Sequence, residues 1–293
     1  MELSKEDKDF LELYSDSIYE KPSVTVDAVI LRLVDKKIDN YRKLPEKKLQ
    51  VYLMERKYPP FKDKFAVVGT FIDLNNELSK TMKMCVANKI GLEDYYYEQL
   101  FTFGEKQRDP RTRVLSVSYL LLTNQNVNLK NGAWFDIDLV EKECKVEEMD
   151  RGYKVQKEMS ITLSNDNLKL ENELTQVTSK ENLSLTNEVI VKNSSIAFDH
   201  IKIIYYALNR LKNKLEYTDI IFSLLQDKFT LTELKNSYEV ILRQKLLDAN
   251  FRRKISGLVM PTDEYVGDKG HRPSRLFKAN PNWNKERIGD WWK

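Results

Sequence analysis

Residues 65–73 read FAVVGTFID and residues 78–92 read LSKTMKMCVANKIGL, and the fold turns on how these two stretches are joined. Ala66–Ile72 is β-branched and aromatic around Gly69 and reads as a strand. From Glu77 to Lys89 the apolar residues Leu78, Met82, Cys85 and Val86 fall on one side of a helix, which Gly91 can end. That helix contains no Asp or Glu between Leu78 and Leu92.

Working outward, Val24–Leu31, Gln50–Glu55, Val114–Leu122 and Trp134–Ile137 read as strands, with Val114–Leu122 apolar enough for burial on both faces. Asp7–Ile18 has helical spacing, and Asp35–Lys48 reads as a polar hairpin excursion. Lys145–Val191 is less regular. Ser160–Leu163, Leu168–Leu170 and Glu188–Val191 suit strands, but the Ser/Asn/Lys/Glu content equally suits a mobile insertion. From Ile196 the period becomes helical, with Phe198, Ile201, Ile204, Tyr205, Leu208 and Leu211 as its apolar stripe. This helix is the expected connector between domains 1–195 and 196–293.

Beyond it, Asp219–Leu225 is a short helix. Thr230-Leu231-Thr232-Glu233 opens a second, with Thr230 or Thr232 as N-cap. Asp248 can cap a third, Ala249–Leu258, which turns Phe251 and Ile255 inward and Asn250, Arg252, Arg253 and Lys254 outward. Val259–Tyr265 and Ser274–Lys278 form a hairpin around Gly267 and Gly270. Three helices and a β-wing make a winged helix-turn-helix.

Length and composition agree with two globular domains: 293 residues, 41% hydrophobic and 11% aromatic. Two cysteines, no secretory leader at the acidic N-terminus and no apolar run of ~20 residues point to a cytoplasmic protein without a membrane span. Net charge is +3, unevenly spread: residues 201–293 hold 18 Lys/Arg against 11 Asp/Glu. A basic C-terminal third behind a slightly acidic front suggests two jobs, with polyanion contact one candidate for the rear beside an ordinary lysine-rich surface.

The strand–helix–glycine run resembles the Nudix box of pyrophosphohydrolases, whose helix glutamates jointly hold Mg²⁺ against a diphosphate. Anchored on Gly91, the pattern puts Thr70 at its opening glycine and Asn76 at its first glutamate. Cys85, Asn88 and Lys89 fall at the later glutamates. Lys89 places a cation where a dication would bind, so neither magnesium nor Nudix-type hydrolysis is expected. Lys21–Asp27, Met54-Glu55-Arg56, Pro60–Phe65, Phe103–Arg111, Ala133-Trp134-Phe135 and Ala197–His200 are similar, in order, to the Nudix-related transcriptional regulators (the NrtR family). The resemblance implies an α+β chain: a Nudix-like α/β/α sandwich with a mixed sheet, then a winged helix. It also implies a homodimer, an operator DNA partner, and ADP-ribose or another NAD- or sugar-derived metabolite as effector.

For that effector, Arg56, Arg108, Arg111 and Arg113 can offer guanidinium forks to phosphates, and Phe61, Phe71 and Tyr119 can stack on a base. Arg108 is the favoured member because it sits in a matching motif. His200 is expected to cap or pack at the connector. For DNA, Asn250, Arg252, Arg253 and Lys254 open a recognition helix. Lys269, His271, Arg272 and Arg275 flank the wing, and Thr230, Thr232 and Lys235 start the preceding helix near phosphates. The alternatives are an active ADP-ribose pyrophosphatase-like hydrolase with an accessory domain, and a plain interaction module.

Overall fold

Alternation along the first long strand sets the layers. In β1 (Ser23–Asp35), Val26, Ala28 and Ile30 join one buried cluster while Val29 and Leu31 join another, so both faces of the strand are covered. The computed structural model describes residues 3–14, 20–36, 46–125, 131–267 and 273–283. In it β1 lies antiparallel to β2 (Lys47–Glu55) and parallel to β6 (Val114–Leu122). β3 (Phe65–Ala66) pairs with β2, β4 (Val68–Phe71) with β1, and β5 (Tyr96–Phe103) with β6. The strand β6 is buried on both faces, as its composition predicts.

One face is covered by α2 (Leu78–Ile90), which buries Met82, Cys85, Val86 and Ile90 against Ile30, Tyr119 and Leu121. Gly91 closes this helix in the left-handed conformation, φ 66°, where only glycine is free of strain. The other face is covered by α3 (His200–Lys214), whose Ile201, Ile204, Leu208 and Leu211 are buried. Arg210 and Lys214 of α3 both pair with Glu98 on β5. The sheet is thus mixed and sandwiched between helices.

The segment 145–191 is not a mobile insertion. β7 (Gly132–Met149), β8 (Gly152–Ser164), β9 (Lys169–Glu181) and β10 (Ser184–Ser194) form an antiparallel meander that extends the sheet in the order β10-β9-β8-β7-β2-β1-β6-β5. The inner ends contribute Met159, Ile161, Leu163, Leu174 and Val189 to the core. The outer ends are exposed, so polar residues suit both faces there, and cross-strand pairs such as Lys142–Glu173 and Lys157–Glu141 lace them. That is why the alternation fades in the sequence. The strand β5 also escaped the reading, because its pattern carries a register shift between Gln99 and Phe101.

An N-terminal helix, α1 (Lys5–Leu13), is capped by Ser4 and Asp7 and exposes its apolar residues throughout. It begins at Lys5, ahead of the expected Asp7; residues 15–18 of that expectation, like most of the 35–48 excursion, lie outside the described residues. No described helix is long and apolar enough to cross a membrane.

After α3, a short 3₁₀ turn (Ile220–Leu224) leads into β11 (Phe229–Thr230), α4 (Leu231–Leu242), α5 (Asp248–Ile255), β12 (Val259–Val266) and β13 (Ser274–Ala279). The strands pair as β11-β13-β12. Thr230 is the N-cap of α4: its hydroxyl accepts from the Glu233 N–H at 3.1 Å, and the Glu233 carboxylate accepts from the Thr230 N–H at 2.7 Å. Asp248 does not cap α5. Leu247 holds the cap position, and the Asp248 carboxylate pairs instead with Lys235 of α4. Trp283 packs against the core near Gly257, whereas Trp291 and Trp292 lie outside the described residues.

The core does not divide at residue 195. One buried cluster runs from Val29 and Leu120 through Ile204 and Leu211 to Leu234, Tyr238, Phe251 and Leu258. The connector α3 is therefore an inner element of both halves.

Candidate functional site

A cavity of about 270 Å³ opens where β1, β4, the loop before β6, the end of α2 and the start of α3 converge. Backbone proximity shapes its floor. Gly69 lies against Asp27, and a Cβ at residue 69 would meet the Asp27 Oδ1 at 2.0 Å. The Asp27 carboxylate is buried, accepts a hydrogen bond from the Ser116 hydroxyl and another from Thr25 Oγ1 at 3.2 Å. Lys89, in the last turn of α2, reaches across and donates to the Gly69 carbonyl. The cation that the sequence sets at a glutamate position thus lies in the pocket itself.

Three arginines border the cavity. Arg56 donates from Nε to the Pro60 carbonyl at 2.9 Å, and its guanidinium stacks 4.8 Å from the Phe198 ring centre. Burial lowers its proton affinity, and the nearby Arg111 lowers it further. Arg111 lies 5.5 Å from the Phe71 ring and 5.8 Å from Phe198, and pairs through two nitrogens with Asp109. Burial works against ionised Asp109, but the Arg111 hydrogen bonds outweigh it and hold its pKa below the usual carboxylate value. Arg108 forms a fork on Asp199, at 2.9 and 2.8 Å, with only 4% of its side chain exposed.

The structure revises several expectations. Arg108 lines the cavity but is already held by a carboxylate. Arg113 is exposed and does not line it; its carbonyl accepts from the Ser23 N–H at 2.9 Å. Tyr119 is buried against α2, because the odd positions 117, 119 and 121 of β6 all face that helix. Phe61 lines a neighbouring cavity of about 600 Å³, in edge contact with Phe198 at 4.7 Å. Arg56, Phe71, Arg108 and Arg111 are brought together as expected.

Phe198 was read as the first apolar residue of the connector helix. It precedes the helix instead, with φ 54°, and its side chain forms a wall of the site. The sequence carries a signal for this: Asp199 is the N-cap of α3, which leaves Phe198 outside. His200 packs, buried, at the start of the connector helix. Its Nδ1 accepts from the Val67 N–H at 3.2 Å, which puts the proton of the neutral ring on Nε2. Burial lowers its pKa and outweighs the attraction of Asp27 and Asp199, with a smaller lowering from Arg108 and Arg56, so the ring is uncharged at neutral pH. Among the described residues no cluster of three or more His, Cys, Asp or Glu side chains could hold a metal ion.

At the other end of the chain, Asn250, Arg252, Arg253 and Lys254 are all exposed on α5 while Phe251 and Ile255 are buried. Thr232 is exposed, Thr230 is spent on its cap, and Lys235 is engaged by Asp248 and Glu239. Arg275 lies on β13, exposed, and its Nε donates to the Thr262 carbonyl at 2.6 Å. Lys269, His271 and Arg272 lie outside the described residues.

Residues 221–279 match the family model of the NrtR DNA-binding winged helix domain. The ADPR responsive transcriptional repressor NtrR of Acinetobacter baylyi is 29% identical over 281 residues, 92% of this chain and 86% of the repressor. The crystal structure of a MutT/nudix family protein from Enterococcus faecalis matches with a TM-score of 0.62 and 24% identity, covering 96% of this chain and all of that one. Shewanella oneidensis NrtR complexed with a 27mer DNA matches with a TM-score of 0.59 and 23% identity, over 89% of this chain and 95% of that one. With an NrtR-type winged helix behind a Nudix-like fold, the chain is related to the Nudix-related transcriptional regulators.

Proposed function

We propose that the protein is a ligand-responsive DNA-binding transcriptional regulator. Its Nudix-like domain takes ADP-ribose, or a related NAD- or sugar-derived metabolite, and its winged helix grips operator DNA. The observation that carries the sensor half is Lys89: an ammonium group from an acid-free helix occupies the pocket where a pyrophosphohydrolase of this design keeps its metal carboxylates. Four cations, Arg56, Lys89, Arg108 and Arg111, line the cavity against two carboxylates, Asp27 and Asp109, so it favours an anion over Mg²⁺. We accordingly propose no metal cofactor and no hydrolysis. The A. baylyi repressor, similar over most of the chain, is described as responsive to ADPR.

For DNA, the exposed Asn250, Arg252, Arg253 and Lys254 on α5 present guanine-, adenine- and phosphate-directed groups, as a recognition helix does. A homodimer in the cytoplasm, presenting two such helices to two half-sites, completes the proposal. Fluorescence anisotropy on the neighbouring promoter DNA, with and without ADP-ribose, tests it. The expected coupling is about 1–3 kcal/mol, or roughly 5- to 150-fold in DNA affinity. The double substitution Arg252→Ala, Arg253→Ala should abolish specific binding. Retained affinity in that variant, or Mg²⁺-dependent cleavage of ADP-ribose at an enzymatic rate, would overturn the respective half.

A further inference from the structure

The loop from Glu105 to Arg111 faces two ways. It gives Arg108, Asp109 and Arg111 to the cavity, and it clamps the first turn of α3. The clamp has two charge pairs: the Arg108 fork on Asp199, and buried Lys202 on Glu105. Asp199 is in turn the start of α3, since its carbonyl accepts from the Lys202 N–H at 2.8 Å and the Ile203 N–H at 3.3 Å. The residues just before it are strung along β3 and its extension: the Ala197 N–H donates to the Phe65 carbonyl at 2.8 Å, and His200 accepts from Val67. Phe198 is held in the left-handed region between these anchors.

The larger cavity, about 600 Å³, shares Arg108 and Phe198 with the smaller one and includes Asp199. The ion pair therefore stands at the partition between two hollows. A diphosphate seated by Arg56, Lys89 and Arg111, with organic groups on either side, approaches the partition from both. While Arg108 is neutralised by Asp199, the cavity surplus is one positive charge; with Arg108 turned to the ligand it is two, which matches a diphosphate diester.

We propose that the Arg108–Asp199 ion pair is the latch through which pocket occupancy reaches the winged helix, a proposal that rests on the sensor reading above. An anionic ligand takes one or both donors of the Arg108 fork, Asp199 loses its partner, and the first turn of α3 moves. The fork has two discrete settings, on the carboxylate or on the ligand, so the element is bistable rather than elastic. The core then carries the shift, because α3 shares one buried cluster with Leu234, Tyr238 and Phe251 of the DNA-reading module. In this scheme Arg108 contacts the ligand and Asp199 is a positioning residue that acts through it.

The test is a coupling measurement on the full-length chain, with ADP-ribose and promoter DNA as probes. In Asp199→Asn, which leaves every cavity cation in place, ADP-ribose still binds, while the ratio of DNA affinities with and without ADP-ribose falls from at least about 5-fold to within about 2-fold of unity. A purely structural ion pair would lower the melting temperature and leave that ratio alone, and a parental ratio in this variant overturns the latch. Should the variant fail to fold, hydrogen exchange on the parent decides. ADP-ribose should change protection at the Lys202 and Ile203 amides, and unchanged protection there overturns the latch. Failure of the parent to bind ADP-ribose at all would instead sink the sensor reading, and the latch with it.

Discussion

Truncating Arg56, Arg111 and Arg113 in turn should give unequal losses, and their order can be worked from the contacts. Arg56 spends Nε on the Pro60 carbonyl and aims one terminal nitrogen at the Tyr58 carbonyl, 3.5 Å away. This leaves roughly one donor edge for a phosphate, a charge-assisted bond worth about 1.5–3 kcal/mol. Removing Arg56 also relieves its repulsion from Arg111, so the lower part of that range applies. We expect Arg56→Ala to lose about 1.5–2 kcal/mol, a 10- to 30-fold rise in Kd for ADP-ribose. Arg111 is different. Two of its nitrogens already serve Asp109 and its side chain is 44% exposed, so Arg111→Ala should cost less than about 1 kcal/mol, under 6-fold. Arg113→Ala should change nothing beyond about 2-fold, since Arg113 does not line the cavity. Titration calorimetry reads all three, with the melting temperature of each free variant as a check on folding. Parental affinity in Arg56→Ala, or an equal loss in Arg113→Ala, would refute the assignment of the cavity as the effector site.

Other perturbations follow from single contacts. Gly69→Ala pushes a methyl into the Asp27 carboxylate, disturbing its bonds from Ser116 and Thr25, and should cost about 2–4 kcal/mol; calorimetric melting with no loss would show that the floor is looser than described. His200 is buried with a lowered pKa, so below its unfolded value of 6.5 the unfolded chain binds the extra proton. Its contribution is complete above pH 6.5 and is lost as pH falls from there toward the lower folded pKa. The slope of unfolding free energy between pH 6.5 and 5.5 should be shallower by up to about 1.4 kcal/mol per pH unit in His200→Gln, and identical slopes would contradict the burial argument. Thr230→Ala deletes the α4 cap and should cost about 1 kcal/mol of stability, measured by urea unfolding, while leaving effector affinity unchanged; a loss of effector affinity would show that the cap does more than hold α4.

The frame was legible in the sequence because the central strands are buried on both faces and so read as near-continuous apolar runs, and because α2 and α4 carry their own stop or start signals in Gly91 and Thr230. The winged helix was legible for the same reason: Phe251 and Ile255 face in while four polar residues face out. What was hidden depends on pairing that periodicity does not encode. The β7–β10 meander is amphipathic only at its inner ends, so its outer residues look like a loop. Tyr119 was placed in the pocket because its aromatic ring suits a base, yet strand parity sends it to the α2 side. Arg108 lines the cavity, but its partner Asp199 is 91 residues away, and nothing local announces that contact.

The cation at Lys89 bears on the ligand as well as on any metal. A pyrophosphohydrolase balances its substrate with a dication held by carboxylates, so the protein walls stay acidic and the metal meets the phosphates. Here the walls are cationic, and the ligand is itself the neutralising group. Repulsion from Arg111 adds to burial in lowering the proton affinity of Arg56, partly offset by Asp109 and by stacking on Phe198, while Asp109 holds Arg111 itself above its ordinary value. An arriving diphosphate relieves that repulsion only in the arrangement where the arginines converge. A ligand can shift an equilibrium only by its differential affinity for the two states, and this repulsion supplies such a difference at the wall next to α3. The same inversion of charge that argues against a metal site thus gives an anionic ligand something to act on.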